Sequence, residues 1–392
     1  VTDPIAGERT LKAIGDLAAE AGLSHIHLLA WRDLDDPEAG GSEVHAHNVA
    51  AIWAQAGLRV THRTSYAVNH PQVSVRSGYT VVRKAGRYLV FPRSAVSEVT
   101  GRLGPCDGLV EIWNGMPFLS PLWWRGPRTI WLHHVHGPMW GMTLPPRLAA
   151  AGNTLEARVA PPIYRRQPVV TLSESSKAEL VDELGFDPDR VTVVHPGTDP
   201  FWTPGGRRAA SPTLLAVGRL VPVKNFVRLV HVAAAARERV PGLRLVIVGE
   251  GYERNSILDA VREHHAEEWV TLNGRVTDEE LRDLYRSAWA VASTSVREGW
   301  GMTITEAAAC GTPCIATDIA GHRDAAVDGS SGILATTDQG LSDAIVGVMT
   351  DAALRTRLQG GALARAAELT WDATALGTFR VLAADALRRR RR

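Results

Sequence analysis

Two carboxylates, Glu298 and Glu306, stand on either side of Gly299-Trp300-Gly301. Residues 289–293 before them (WAVAS) read as a short buried strand. Residues 304–310 read as a helix that stops at Gly311-Thr312-Pro313. Glu298 therefore falls just past a strand end, and Glu306 falls in the first turns of a helix. Between them lie the open N–H groups of a helix N-terminus, with glycines that let a ligand come close, a setting that suits a phosphate. A carboxylate accepts hydrogen bonds from two neighbouring hydroxyls, which suits a sugar. A diphosphate carrying sugars at both ends is a nucleotide sugar, and that is the ligand chemistry this spacing implies.

A second phosphate signal precedes the first. Gly218-Arg219 follows an apolar run at 213–217, and Lys224 stands just before a helical pattern starting near Asn225. Strand, glycine and two cations place both charges at the carboxyl edge of a sheet, where doubly wound folds bind ligands. Arg219 offers a fork of donors and Lys224 a point charge. Val248-Gly249-Glu250-Gly251 and Asn273-Gly274-Arg275-Val276 end two further apolar runs and bring backbone poor in side chains to the same edge. The plain reading of those glycines is tight strand-to-helix packing. The functional one is close approach of a nucleoside.

The elements needed to hold these groups are legible as alternation. In the first half, apolar runs fall at 25–31, 59–64, 80–82, 88–91, 108–113, 129–133 and 169–172. Helical patterns fall at 8–21, 43–56, 145–159 and 175–184. In the second half, strands are expected at 213–217, 243–248, 270–272, 289–293 and 313–317, giving five β-α units. Helices are expected at 225–239, 253–265 and 278–287, the last opened by a capping box of Thr277 and Glu280. The expected fold class is α/β, with two Rossmann-like doubly wound domains. The join falls near the Pro- and Gly-rich stretch 195–211.

Composition is that of a globular protein: 392 residues, 45% hydrophobic, 22% charged, net charge +1. Near-neutral charge gives no electrostatic case for nucleic acid. No run reaches the roughly 18 apolar residues of a membrane span, and no signal-peptide pattern is seen. Three cysteines, Cys106, Cys310 and Cys314, make no disulfide framework, and Cys310 and Cys314 read as small buried hydrophobes, so a reducing compartment and a cytoplasmic location are expected, with the inner membrane face as the alternative. His133, His134 and His136 cluster, but a zinc site needs further ligands and none is evident, so no metal is expected. Asp33-Leu34-Asp35 and Asp187-Pro188-Asp189 lie in turn-like contexts and are set aside as chance. The tail 388–392 is five arginines, a solvated terminus in the plain reading and a contact with an anionic membrane in the sharper one.

Together these residues resemble the retaining GT-B glycosyltransferases of the family-four type. The resemblance rests on Glu298 and Glu306 (E-x7-E), on Gly218 to Lys224 and on the VGEG turn. It extends to Gly40-Gly41, Ser173-Glu174 and Pro196-Gly197-Thr198-Asp199, in family order over nearly the whole chain. It implies GT-B architecture, two Rossmann-like domains facing a deep interdomain cleft. The acceptor domain would span 1–198, with a C-terminal helix at about 373–392 packing back on it, and the donor domain 199–371. It also implies that Glu306 holds the ribose hydroxyls and Glu298 faces the transferred sugar. Gly299 and the backbone of Gly301, Met302 and Thr303 would meet the distal phosphate or sugar, and Arg219 and Lys224 would neutralise the diphosphate beside Gly218 and Gly249. Arg275 and Val276 would border the base, and Gly41 would approach the reacting centre. His134 is the first choice for the histidine that contacts the donor sugar, with His133 and His136 as alternatives. Glu298, His134, Arg219 and Lys224 form the expected catalytic set.

The implied reaction is retaining, metal-independent transfer of a hexose from a nucleoside diphosphate (GDP-mannose, UDP-glucose or UDP-GlcNAc type) to a hydroxyl acceptor such as a glycan, glycolipid or small metabolite, with no other cofactor. Trp113, Asn114, His133 and Trp140 are the acceptor-side candidates. Twelve tryptophans are many for this length, and those outside the core could stack on a sugar. Trp123-Trp124, near Arg125 and Arg128, also offer a membrane-surface reading. Two rival classes share the architecture: a sugar-nucleotide epimerase, which needs an acid–base set and no acceptor, and a non-catalytic nucleotide-sugar binding protein.

Overall fold

The computed structural model describes residues 4–137 and 139–391. Val1 to Asp3, Pro138 and Arg392, the last arginine of the tail, lie outside the described residues. The chain divides into two compact units. One runs to Gly197 and takes in the C-terminal stretch from Thr370; the other is Thr198–Leu369.

The first unit is built on eight strands: β1 (His25–Leu29), β2 (Arg59–Thr64), β3 (Val73–Arg76), β4 (Tyr79–Arg83), β5 (Gly108–Trp113), β6 (Arg128–Leu132), β7 (Val169–Thr171) and β8 (Val191–Val193). They lie in the order β3-β4-β2-β1-β5-β6-β7-β8, parallel except for the β3–β4 pair. Every residue of β5 and β6 is buried, as expected of parallel strands covered on both faces. Residues 88–91, an apolar run in the sequence, do not form a strand: Val90 and Phe91 open the helix Val90–Val99 and pack with Leu29, Leu109 and Phe118. So short an apolar run carries no period, and only packing decides its conformation.

The helix Trp371–Arg390 belongs to this unit. Thr370 caps it by accepting from the Ala373 N–H, Trp53 Nε1 donates to its Ala375 carbonyl at 2.9 Å, and Phe379 meets the Trp53 ring edge-on. Near its end the buried Asp385 carboxylate accepts the Arg128 N–H at 3.0 Å and pairs with Arg388 and Arg389, while Arg390 donates to the Glu20 carbonyl. The arginine tail is thus partly engaged within the chain. Trp123 and Trp124 donate their indole N–H groups to the Phe118 and Pro127 carbonyls and pack on the core beside Phe118, and Arg128 is buried. That explains their apolar character without a membrane surface.

The second unit holds β9 (Thr213–Val217), β10 (Arg244–Val248), β11 (Val270–Gly274), β12 (Ala290–Ser293), β13 (Cys314–Thr317) and β14 (Gly332–Ala335), in the order β11-β10-β9-β12-β13-β14 and all parallel. The sixth strand, β14, and the helices Asp338–Thr350 and Ala352–Ala367 extend the five-unit plan. The Thr277–Glu280 capping box forms, with the Thr277 N–H on the Glu280 carboxylate at 2.8 Å and the Glu280 N–H on the Thr277 hydroxyl at 3.2 Å. Cys310 and Cys314 are buried free thiols. Among the described residues no helix is long and apolar enough to cross a membrane.

Candidate functional site

In the second sheet the chain runs outward from β9 through β10 and β11, then returns to the other side of β9 with β12. The point of reversal, between β9 and β12, opens a crevice at the carboxyl ends of the strands. Two of the chemistry-bearing loops of this unit meet there. The Thr294 hydroxyl donates to the Asn225 carbonyl at 2.9 Å, and the Val296 N–H donates to the Val223 carbonyl at 2.8 Å. These bonds seat the Glu298 loop on the Lys224 turn, and Lys224 Nζ lies 2.5 Å from Glu298 Oε1. The same carboxylate oxygen accepts the Ser295 hydroxyl at 2.8 Å.

Burial alone would raise the Glu298 carboxyl. The Lys224 charge, with His322 and the hydrogen bonds from Lys224 and Ser295, instead brings it down to about 2. Glu298 is therefore a fixed anion. Glu306 is the opposite case: burial pushes it up to about 7, and Asp278 and Asp199 add to the rise. A hydrogen bond from Tyr285 and the Lys224 charge only partly oppose it. Its Oε2 accepts the Tyr285 hydroxyl at 2.9 Å.

Glu306 lies on the helix Met302–Ala309, entered through Gly301 at φ 106°, a left-handed conformation that favours glycine. Its N-cap, Gly301, has no side chain to cap it, so the first N–H groups, those of Met302 and Thr303 among them, get no capping hydrogen bond from that residue.

Gly218 and the half-buried Arg219 follow β9 directly. The VGEG glycines have a packing reason: a Cβ at Gly249 would sit 1.9 Å from the Gly218 carbonyl oxygen, and one at Gly251 2.2 Å from that of Leu220. The turn after β10 thus holds the Arg219 loop by backbone contact, as the Leu220 N–H to Glu250 carbonyl bond of 2.9 Å also shows. Arg275, exposed, and Val276, half-buried, follow β11 on the same edge, with β10 and β9 between them and β12.

The first unit has its own reversal, between β1 and β5. Gly40 and Gly41 open the helix Gly41–Gln55 on one side of it. The Gly40 N–H donates to Glu43 Oε2 at 2.8 Å, and Asn114, just past β5, donates to the Ser42 hydroxyl at 3.1 Å. Two buried carboxylates shape the neighbouring loops. Glu111 on β5 accepts from the Phe118 and Ser120 N–H groups and from the Tyr164 hydroxyl, the last at 2.6 Å. Glu156 accepts the His136 and Gly137 N–H groups at 2.8 and 2.9 Å and Trp140 Nε1 at 3.0 Å. His134 is half-buried on this loop and stacks on His136 with ring centroids 4.7 Å apart.

Two acceptor-side expectations are corrected here. Trp113 is fully buried, donates its N–H to the Gly115 carbonyl and packs on Tyr164, so it offers no surface to a ligand. His133 is 3% exposed and shares a 3.1 Å hydrogen bond with the buried His45; burial holds both rings neutral, His45 near 3. It is a core residue that ties its loop to the helix Gly41–Gln55. Asn114 and Trp140, both half-buried, remain at the edge of the unit. Asp33 and Asp35 are engaged by Arg76 and Arg83, a structural ion cluster.

The sequence reading missed Ser295, Tyr285 and His322. The His322 ring is buried beneath Gly301, with Nδ1 donating to the Thr317 carbonyl at 2.9 Å and Nε2 3.2 Å from the Ser293 hydroxyl. Its place just past β13 was a signal, since every strand of a parallel sheet ends on the ligand edge. Tyr285 had none, because its partner is twenty-one residues away on another helix.

A family profile described as "Glycosyltransferase Family 4" matches residues 39–201, and one described as "Glycosyl transferases group 1" matches residues 204–364. A D-inositol 3-phosphate glycosyltransferase of Stackebrandtia nassauensis is 36% identical over 246 residues, 57% of this chain and 55% of that protein. The alignment therefore spans about half the relative's length. One of the same name from Pseudarthrobacter chlorophenolicus is 28% identical over 403 residues, 93% of this chain and 94% of that protein. The sucrose-phosphate synthase structure from Thermosynechococcus elongatus superposes with a TM-score of 0.78 at 21% identity, covering 94% of this chain and 98% of that one. With two parallel α/β units, consecutive profile matches in family order and this likeness of fold, the chain belongs to the GT-B glycosyltransferases of the family-four type.

Proposed function

We propose that the protein is a retaining hexosyltransferase that takes its sugar from a nucleoside diphosphate and passes it to a hydroxyl acceptor without a metal. The observation that carries this reading is the β9–β12 crevice, where an ionised Glu298 paired with Lys224 stands beside an uncapped helix N-terminus. In this reading Arg219, Lys224 and the N–H groups of Met302 and Thr303 stabilise the negative charge that develops on the departing diphosphate. Glu306 accepts the ribose hydroxyls, and Glu298 orients the hexose. In the first unit, the candidates for ligand contact are His134, Gly41 and Asn114. The bond from the anomeric carbon to the diphosphate oxygen breaks as the acceptor oxygen bonds to the same face, and the leaving phosphate oxygen takes the acceptor proton.

Donors of the GDP-mannose, UDP-glucose and UDP-GlcNAc type all fit this scheme, because bordering a base with backbone leaves little side-chain signature. The names of the relatives make a phosphorylated polyol the first acceptor to try. The test is a thermal-shift screen of nucleotide sugars followed by measurement of nucleoside diphosphate release. A true donor at a hundredfold excess over its dissociation constant adds about 2.7 kcal/mol of stability. Release should be slow alone and faster with an acceptor. Isomerisation or elimination without acceptor would mark an epimerase, and binding without turnover a sensor; either outcome rejects the proposal.

A further inference from the structure

Outside the transfer machinery, the first unit gathers three metal-ligating side chains from three elements. His27 is in β1, Glu98 in the last turn of the helix Val90–Val99, and Cys106 in the loop before β5. One donor atom from each lies within 4.8 Å of the other two, and His27 and Glu98 are buried. We infer that His27, Glu98 and Cys106 form a site for one divalent metal ion of the zinc class, clamping the helix Val90–Val99 to the sheet.

The donor set is of the right kind: imidazole, carboxylate and thiol are the three side-chain ligands zinc takes. The donor atoms lie within 4.8 Å of one another, so the side chains would shift to meet a tetrahedral ion. Metal–ligand bonds of about 2.0–2.3 Å put neighbouring ligand atoms about 3.3–3.7 Å apart. His27 Nδ1 is now 2.9 Å from both Glu98 oxygens, so these would separate by a few tenths of an ångström on loading.

The donors are also held in place before any ion arrives. Asp107 accepts the Ser24 and His25 N–H groups at 2.9 and 2.8 Å and the Ser24 hydroxyl at 2.7 Å, and its own N–H donates to the His25 carbonyl at 2.8 Å. Its neighbour Cys106 is thereby fixed beside β1. Cys106 is half-buried, which leaves a path from solvent, and its thiol is bonded to the Gly108 carbonyl. Burial and the Glu98 charge keep that thiol protonated in the absence of a cation.

Loading balances simply. The thiol proton leaves to solvent, the imidazole proton moves from Nδ1 to Nε2, and the ion gains one thiolate, one carboxylate and one neutral imidazole. The two anionic ligands cancel its charge, and water can take the fourth position. Neither of the other cysteines has this company, since among the described residues this is the only such group of three donors.

The test uses the full chain stripped with a chelator and titrated with cobalt(II), whose bond to a thiolate gives a near-ultraviolet charge-transfer band. One equivalent per chain should produce the band, and zinc should abolish it by displacement. Cys106→Ala should lack the band, and Glu98→Gln should weaken binding at least about tenfold. Zinc should also raise the melting temperature of the wild type but not of Cys106→Ala. Cobalt bound without a band, or a band that survives in Cys106→Ala, would overturn the site and leave His27–Glu98 as an ordinary buried hydrogen bond. Should Glu98→Gln fail to fold, the cysteine variant, a small truncation, still decides. Sugar transfer is not a readout in any arm, so this result is independent of the proposed function.

Discussion

If Glu306 holds the ribose of a nucleotide sugar, donor binding must depend on pH near neutrality. The carboxyl sits at about 7 in the free protein because it is buried and faces Asp278 and Asp199. Two ribose hydroxyls need the ionised form as acceptor. About nine-tenths of the group is ionised at pH 8 and about one-tenth at pH 6, so affinity should fall about tenfold between them, or about 1.4 kcal/mol.

The assay is direct titration of a nucleotide sugar by calorimetry at both pH values, on the wild type and on Glu306→Gln. A nucleotide sugar is the right ligand because its diphosphate is esterified at both ends and does not itself titrate in this range. The variant should bind weakly at both pH values and show no slope. The free protein carries the matching signature. Glu306 binds its proton more tightly folded than at the ordinary 4.5, so its contribution favours the fold at low pH and is lost as pH rises through about 7. A wild-type affinity that is flat from pH 6 to 8, or an equal slope in Glu306→Gln, would refute the ribose assignment.

Three further outcomes follow from the same geometry. Glu298→Ala should lower turnover while leaving the binding of free nucleoside diphosphate nearly unchanged, and because Glu298 is held near 2 its effect should not vary with pH above 4; steady-state kinetics at two pH values check both. Gly249→Ala, whose methyl would meet the Gly218 oxygen at 1.9 Å, should displace the Arg219–Lys224 loop and weaken donor binding, read by calorimetry, although residue 249 contributes no side chain. Trp113→Ala should cost about 3–5 kcal/mol of stability in a urea titration, as truncation of a core aromatic does, and an unchanged stability would return Trp113 to the acceptor surface.

Both Rossmann-like units were legible in the sequence because parallel strands buried on both faces announce themselves as apolar runs, and glycine marks their ends. The positions of Glu298, Glu306, Arg219 and Lys224 followed too, since strand ends in such a fold share one edge. The sequence did not reveal which groups share a hydrogen bond. Lys224 and Glu298 are seventy-four residues apart and meet because β12 returns to the side of β9. That crossing sets the Lys224 charge against Glu298 and makes it a permanent anion, while burial and the nearby Asp278 and Asp199 leave Glu306 poised near neutrality. The spacing E-x7-E alone leaves the two equivalent. The same limit applies to Trp113 and His133, whose residue types suit a ligand site but whose packing partners, Tyr164 and His45, bury them. Local pattern determined the elements and the edge on which the chemistry sits; burial and charge depend on neighbours distant in the chain, and so only the tertiary structure decided them.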